Sequence, residues 1–386
     1  MQASACITVE KEHFLLVVFG LLFFAVEPSG YATLRRMNRH ELDALLAPHA
    51  LPAPEILRAL TLSGNRPLRS DWRAFGVQGL GLAGMAALAA ALIFFIAANW
   101  QAMGVMGRFA LVQVVVLLSV GVAWWRVPAR DGAGASGLVT GSLILATLAS
   151  GTVLALFGQT YQTGADVYEL FFAWALLTLP FALAGMSGAL WAVWICILNV
   201  AVALFSGWHG PGDFVWAIFD RWGIDKPVAM MLGFAVNLGL AAFAYAVSHT
   251  RYAIATPAWL VRMLLTFAFG YGVSGCLYAI IPSYSWRGAT HSTHHFGVFA
   301  AFALVSAVVV FITLRHRRDV YPLALVAGAW IVVSTAYIIK HLVPEDLGGA
   351  FMLSVWLIVV STAAGMVLMR YVRAWRVLPN EQGASA

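Results

Sequence analysis

Ten stretches of almost unbroken apolar sequence, each about 20 residues long, follow residue 75. As a helix, such a stretch covers the hydrocarbon core of a bilayer, roughly 30 Å. Backbone N–H and C=O groups find no water there, so only helices and closed barrels satisfy them. Barrel strands would alternate apolar and polar residues over short segments. These runs are continuous instead. The expected fold is therefore all-α: a polytopic transmembrane helix bundle of about ten spans, preceded by a short amphipathic helical N-terminal segment. The spans read as 76–98, 107–125, 137–158, 168–185, 187–205, 227–248, 258–282, 296–314, 320–340 and 348–369. Composition excludes a soluble globule. Charged residues make up 10% of the chain, against roughly 25% in soluble domains.

The charges that remain set an orientation. Lys and Arg in short loops mark the cytoplasmic side. Alternate loops, together with the N-terminal segment and the tail, hold fourteen of them, including Arg39, Arg73, Arg126, Arg251, Arg315 and Arg370. The other side holds five: Arg108, Arg221, Lys226, Arg287 and Lys340. Both termini are thus expected in the cytoplasm. The net charge of +6 reads as a topology signal and a contact for anionic lipid heads at the Arg-rich cytoplasmic face, not as a nucleic-acid patch. Trp100, Trp124, Trp125, Trp259, Trp286 and Trp375 fall near span ends, where amphipathic rings prefer to sit. Cys196 and Cys276 lie inside spans and read as packing residues; with Cys6 they form no zinc spacing.

Four regions follow. Residues 1–36 hold an apolar run, Phe14–Val26, without the positive flank of a signal peptide. They read first as a start-site extension ahead of Met37, with an extra membrane-inserted helix or a signal peptide as alternatives. Residues 37–75 read as a cytoplasmic helical segment. Asn38 and Glu41 resemble a capping box, and Pro54 suits the first turn of a second helix that Gly64 stops. Residues 76–370 form the bundle, read as one domain, and 371–386 form a cytoplasmic tail. Small residues recur every fourth position in span one (Gly79, Ala83, Ala87, Ala91), and also in span three (Gly137, Gly141, Thr147, Gly151, Ala155) and span seven (Gly270, Ser274). Such stripes let helix backbones approach closely, so these three spans are expected in the interior.

The densest polar run beside a hydrocarbon-length segment is GQTYQTGADVYE, Gly158–Glu169. Polar groups at membrane depth are costly unless paired and point to function. The candidate polar site comprises Asn99, Trp100, Gln159, Tyr161, Gln162, Asp166 and Glu169. Gly164 is expected to break the helix, leaving a short outer hairpin with Gln159, Tyr161 and Gln162 dipping into the bundle. The plainer reading makes Asp166 the cap of span four. Gln113, Asn199 and Asn237, inside spans, read as interhelical glue worth about 0.6–2 kcal/mol each. His291, His294 and His295 are weak metal candidates, with His341, Glu345, Asp346, His209 and Asp213 in other outer loops. Lacking a complete ligand set, they read as solvated loops. No catalytic residue, cofactor or metal is therefore expected. No acidic residue lies deep within a span, and no phosphate-binding, dinucleotide or hydrolase motif occurs.

AANW (Ala97–Trp100) followed by FGQTYQTGADVYELFFAWALLTLP (Phe157–Pro180) resembles the bacterial membrane proteins grouped as domain of unknown function 2157. The resemblance covers Asn38 to span four most clearly. It implies a multi-pass bacterial inner-membrane protein whose soluble helical segment precedes the bundle, and it implies no activity. Two function classes stay open. One is a transporter or channel for a small polar solute, favoured at this point. The other is a non-transporting structural, assembly or sensory membrane protein. Broken helices meeting at a polar cavity would mark the first. A solid interior and a large apolar lateral face would mark the second.

Overall fold

The computed structural model describes residues 52–62, 68–126, 137–161, 164, 166–206, 226–248, 257–280, 294–317, 319–342 and 347–377. Among these, every regular element is helical. A short helix, α1 (Ala53–Leu62), precedes ten helices long and apolar enough to cross a membrane. These are α2 (Arg69–Ala98), α3 (Val105–Arg126), α4 (Gly137–Tyr161), α5 (Val167–Gly185), α6 (Gly188–Phe205), α7 (Lys226–Ser248), α8 (Ala258–Ile280), α9 (His294–Ile312), α10 (Val320–His341) and α11 (Leu347–Val377). A π-turn, Thr313–Arg317, ends α9. The chain is thus an all-α polytopic membrane protein, as its apolar runs require. In α1, Pro54 sits in the first turn, and the N–H groups of Glu55 and Ile56 bond to the Pro52 carbonyl at 2.9 and 3.3 Å. Ile56 and Leu57 are exposed. The helix expected over 38–46, Gly64 and residues 1–36 lie outside the described residues.

The spans fall into two compact units, and the division lies between Leu198 and Asn199 within α6. Each unit is built on one buried helix. In the first unit that helix is α4, which packs against α2, α3 and α5. It buries Val139 through Ile144 without a gap, so every side of it is covered. A helix apolar all round has no solvent face to turn outward. Its hydroxyls bond to their own helix: Ser142 to the Val139 carbonyl, Thr147 to Leu143 and Ser150 to Ala146, at 2.8–3.1 Å. Self-bonding of this kind lets a polar residue sit in apolar surroundings.

Trp174 of α5 closes on α4. Its Nε1 donates to the Thr147 carbonyl at 2.7 Å. A Cβ at Gly151 would lie 2.5 Å from the indole Cζ2, so only glycine leaves room for the ring. The α5–α6 turn places Met186 at φ 42, a left-handed conformation unusual outside glycine.

In the second unit the buried helix is α8, packed against α7, α9 and α10. Its core joins Phe234, Phe269 and Phe302, with centroids 5.8–5.9 Å apart, to Trp330 at 5.2 Å from Phe302. Gly272 faces Phe302, and Gly275 faces Met231. Gly233 of α7 faces the Tyr271 ring, which a Cβ would meet at 2.6 Å. At one end of α8, Arg262 pairs with Asp319 at 3.2 Å, and Asp319 also accepts from the Tyr321 N–H to cap α10. α11 packs on α10, where Trp356 donates to the Thr335 hydroxyl at 3.3 Å. Among its described residues only Gly349 is buried.

Of the three spans with small-residue stripes, α4 and α8 are interior as expected and α2 is not, and in α8 the close approach falls to other glycines than the expected one. The α4 stripe is interior at Gly141, Thr147 and Gly151. In α2, Ala83, Ala87 and Ala91 are exposed, and the helix buries Leu82, Ala89 and Ile96 instead. In α8, Gly270 is exposed with nothing near it, while Gly272 and Gly275 make the close approach. The reason is that lipid solvates alanine and leucine alike. Contact area and ring–glycine fit, rather than small size, decide which face turns inward. Gly233→Ala is accordingly expected to lower stability by about 1–3 kcal/mol, whereas Gly365→Ala, in open space, should melt like the parent. Thermal unfolding in detergent compares them; equal melting would mean the Tyr271 seat has slack.

Candidate functional site

The GQTYQTG run begins on the last turn of α4, because that helix continues through Tyr161 rather than stopping at 158. This moves the end of span three from the expected 158 to Tyr161. Gln159 and Tyr161 ride on an exposed helical turn and do not dip into the bundle. Tyr161 stays 56% exposed. Gly164, at φ 64, lies beyond the helix end, a left-handed position where glycine is free of the Cβ clash. Asp166 immediately precedes α5, as the sequence suggests. Its carboxylate makes no capping hydrogen bond, however; its backbone carbonyl accepts from the Glu169 N–H at 3.0 Å. Glu169 is exposed, in the first turn of α5, and Tyr168 reaches its Oε1 only at 3.5 Å. Gln162 lies outside the described residues.

The α2–α3 corner meets the same end of α4. Asn99 turns back on its own helix, with Nδ2 donating to the Phe95 carbonyl at 2.9 Å. The same carbonyl also accepts the Asn99 backbone N–H, at 3.1 Å. Trp100 packs on the cluster of Ile96, Val112, Ala149 and Leu156. Above its ring, 3.6 Å from the centroid, lies the guanidinium of Arg108, whose Nη2 also donates to the Trp100 carbonyl. The next residue, Phe109, touches Tyr161 at 6.5 Å between centroids, and Tyr161 stacks obliquely on Phe157 at 4.8 Å. The structure thus joins Trp100 and Tyr161 into one rim through Arg108 and Phe109. Among the described residues, Asn99, Gln159, Asp166 and Glu169 make no hydrogen bond to this rim; each faces its own helix or the exterior. Arg108 entered the sequence reading only as a counted charge. The signal that could have found it is its place one turn into α3, eight residues after Trp100.

The mid-span amides form the other polar feature. Asn199 of α6 and Asn237 of α7 exchange two hydrogen bonds, at 3.0 and 2.7 Å. Asn237, fully buried, donates again to the Gly233 carbonyl at 2.9 Å. The Tyr271 hydroxyl donates to the Asn199 backbone carbonyl at 2.9 Å. Three helices of the second unit are therefore linked through one buried cluster, as the glue reading expects of Asn199 and Asn237; Gln113, on α3, is exposed instead and does not fit that reading. Such bonds matter because hydrocarbon offers the groups no other partner.

His294 and His295 open α9, while His291, His209, Asp213, Glu345 and Asp346 lie outside the described residues. Among the described residues no group of three or more His, Cys, Asp or Glu could hold a metal ion. Cys196 and Cys276 are free and buried.

The family model described as "Predicted membrane protein (DUF2157)" matches residues 52–191. This bears out the resemblance and carries it past span four to the start of α6. The matched stretch contains the whole Trp100–Arg108–Tyr161 rim. No curated protein and no solved structure matches the chain.

Asn237→Leu is expected to cost about 1–2 kcal/mol, because it strands the Asn199 amide. Asp166→Ala should cost no more than about 0.5 kcal/mol, the scale of a helix-dipole interaction without a bond. Unfolding of both variants in detergent ranks them, and the reverse order would assign Asp166 a capping bond after all.

Proposed function

We propose that this membrane protein is a non-transporting assembly or sensory component, a helical platform rather than a solute carrier. The observation that carries this reading is the fate of the buried mid-span polar groups. Asn199, Asn237 and Tyr271 are bonded to one another's helices. Trp174 and Trp194 donate to backbone carbonyls of neighbouring spans at 2.7 Å. A carrier would turn such groups toward a substrate path between discontinuous helices. Here all ten spans run unbroken, Pro180 within α5 included. α11 adds a long, apolar, unburied flank on which other membrane helices can assemble.

The test is solute flux in proteoliposomes together with native size in mild detergent. A panel of small polar solutes and ions is expected to leak no faster than from empty vesicles, and membrane extracts should show a discrete complex larger than the monomer. Flux that disappears in Asp166→Asn would overturn the reading in favour of transport.

The loop charges support placement in the bacterial inner membrane with both termini cytoplasmic. The same rule puts the α4–α5 corner outside. With Cys6 replaced by serine, Gly164→Cys should react with a membrane-impermeant thiol reagent on intact spheroplasts, while the buried Cys196 and Cys276 stay silent. Labelling only after membrane rupture would invert the topology.

A further inference from the structure

We propose that the exposed side of α3 pairs two copies of this chain, with Gln113 of each copy bonded to the other across a two-fold axis. Gln113 lies well inside the 22-residue helix α3, near the middle of the hydrocarbon. It is exposed, and its amide makes no hydrogen bond among the described residues. An unpaired amide is costly where hydrocarbon is the only solvent, so it calls for a partner at its own depth. The buried mid-span amides of the chain do not supply one, because Asn199 and Asn237 are bonded to each other. A second copy does. Insertion gives every copy the same orientation, so a two-fold axis between copies runs along the membrane normal, and a residue beside that axis meets itself at equal depth. A glutamine amide carries an acceptor and two donors, so two of them can exchange a pair of bonds. Asn199 and Asn237 exchange such a pair inside this protein, at 3.0 and 2.7 Å.

The surroundings of Gln113 suit a helix of the same kind. Met106, Ala110, Gln113, Leu117, Val120 and Trp124 recur at alternating steps of four and three residues, the repeat of helices that wind around each other. All are exposed except Val120, which is half-buried. The seam lies on another side of α3 from Val112 and Ala123, which are buried in clusters shared with α4. Ala110 is small, and a Cβ at Gly121, beside Val120, would meet nothing within 4 Å, so a second backbone can come close. The apolar residues alone would fit any membrane helix. The amide restricts the match to a helix that carries its own at this depth, and it fixes the register, because any slip strands two amides at once. A carrier can dimerise as readily as a platform, so this pairing does not rest on the assembly reading.

The experiment places the full chain, labelled on a C-terminal tag, in phosphatidylcholine liposomes and counts copies per particle by single-molecule photobleaching as the protein is diluted in lipid. A monomer–dimer equilibrium is expected, and Gln113→Leu should raise its dissociation constant about tenfold. Gln113→Asn, which keeps an amide at nearly the same depth, should fall between the two. Cross-linking reads the seam itself. With Cys6 replaced by serine, Leu117→Cys should give a disulfide-linked dimer on oxidation with copper phenanthroline in membranes. Leu118→Cys should not, although Leu118 is 65% exposed against 70% for Leu117, because it lies on the next side of the helix. Copies that stay single at every density, a dimer indifferent to Gln113→Leu, or equal cross-linking at the two leucine positions would each overturn the pair. A single-copy chain that still runs in a larger complex removes the α3 pair and leaves the platform reading standing. A Gln113-dependent dimer that carries solute supports the pair and removes the platform reading.

Discussion

An aromatic ring seated on a glycine of the neighbouring helix, with its polar tip bonded to a backbone carbonyl, is the contact on which both units depend. Trp174 does this on Gly151 and the Thr147 carbonyl. Tyr271 does it on Gly233 and the Asn199 carbonyl. Lipid gives helices no hydrophobic reason to associate, so the attraction must come from close packing and hydrogen bonds. The ring–glycine seat supplies both at one point. It brings two backbones together through dispersion over a flat face, and it satisfies an N–H or O–H that hydrocarbon would leave stranded. The hub helix α4 is covered on every side at Val139 through Ile144, whereas α8 leaves the face of Arg262, Thr266 and Gly270 exposed.

The same accounting separates the interior from the rim. Inside, hydroxyls and amides are consumed by the protein itself, down to the self-bonded serines and threonines of α4. At the end of the first unit the pattern relaxes. Arg108 keeps unspent donors, Tyr161 stands out from the helix end, and Gly164 turns the chain toward α5. Among the described residues the buried polar side-chain atoms without a partner are two, Nε of Arg108 here and Nε1 of Trp259 in the first turn of α8.

The ten spans were legible because hydrocarbon thickness imposes a length on each, and Gly164 was legible as a helix end because its backbone freedom is intrinsic. The Asn199–Asn237 link was legible in kind, since a mid-span amide must bond to something, but not in partner, which depends on how α6 and α7 face each other. The facing of α2 was misread. A repeat of alanines describes one side of a helix without saying what lies opposite, and Leu82, Ala89 and Ile96 offered α4 the better fit. The rim escaped notice for a related reason. Trp100 and Arg108 belong to different helices, and Tyr161 to a third, so no spacing in the sequence records their meeting.

The position of α11 bears on how the chain is made. Insertion into a membrane proceeds from the N-terminus, so α11 leaves the ribosome after α7 to α10. Among its described residues α11 buries only Gly349, and Trp356 bonds it to Thr335 on α10. The aromatic cluster around Phe302 closes without it. α11 therefore meets an aromatic core that is already closed, as an attachment rather than a keystone, and its loss would leave a second-unit core that still assembles but lacks that flank.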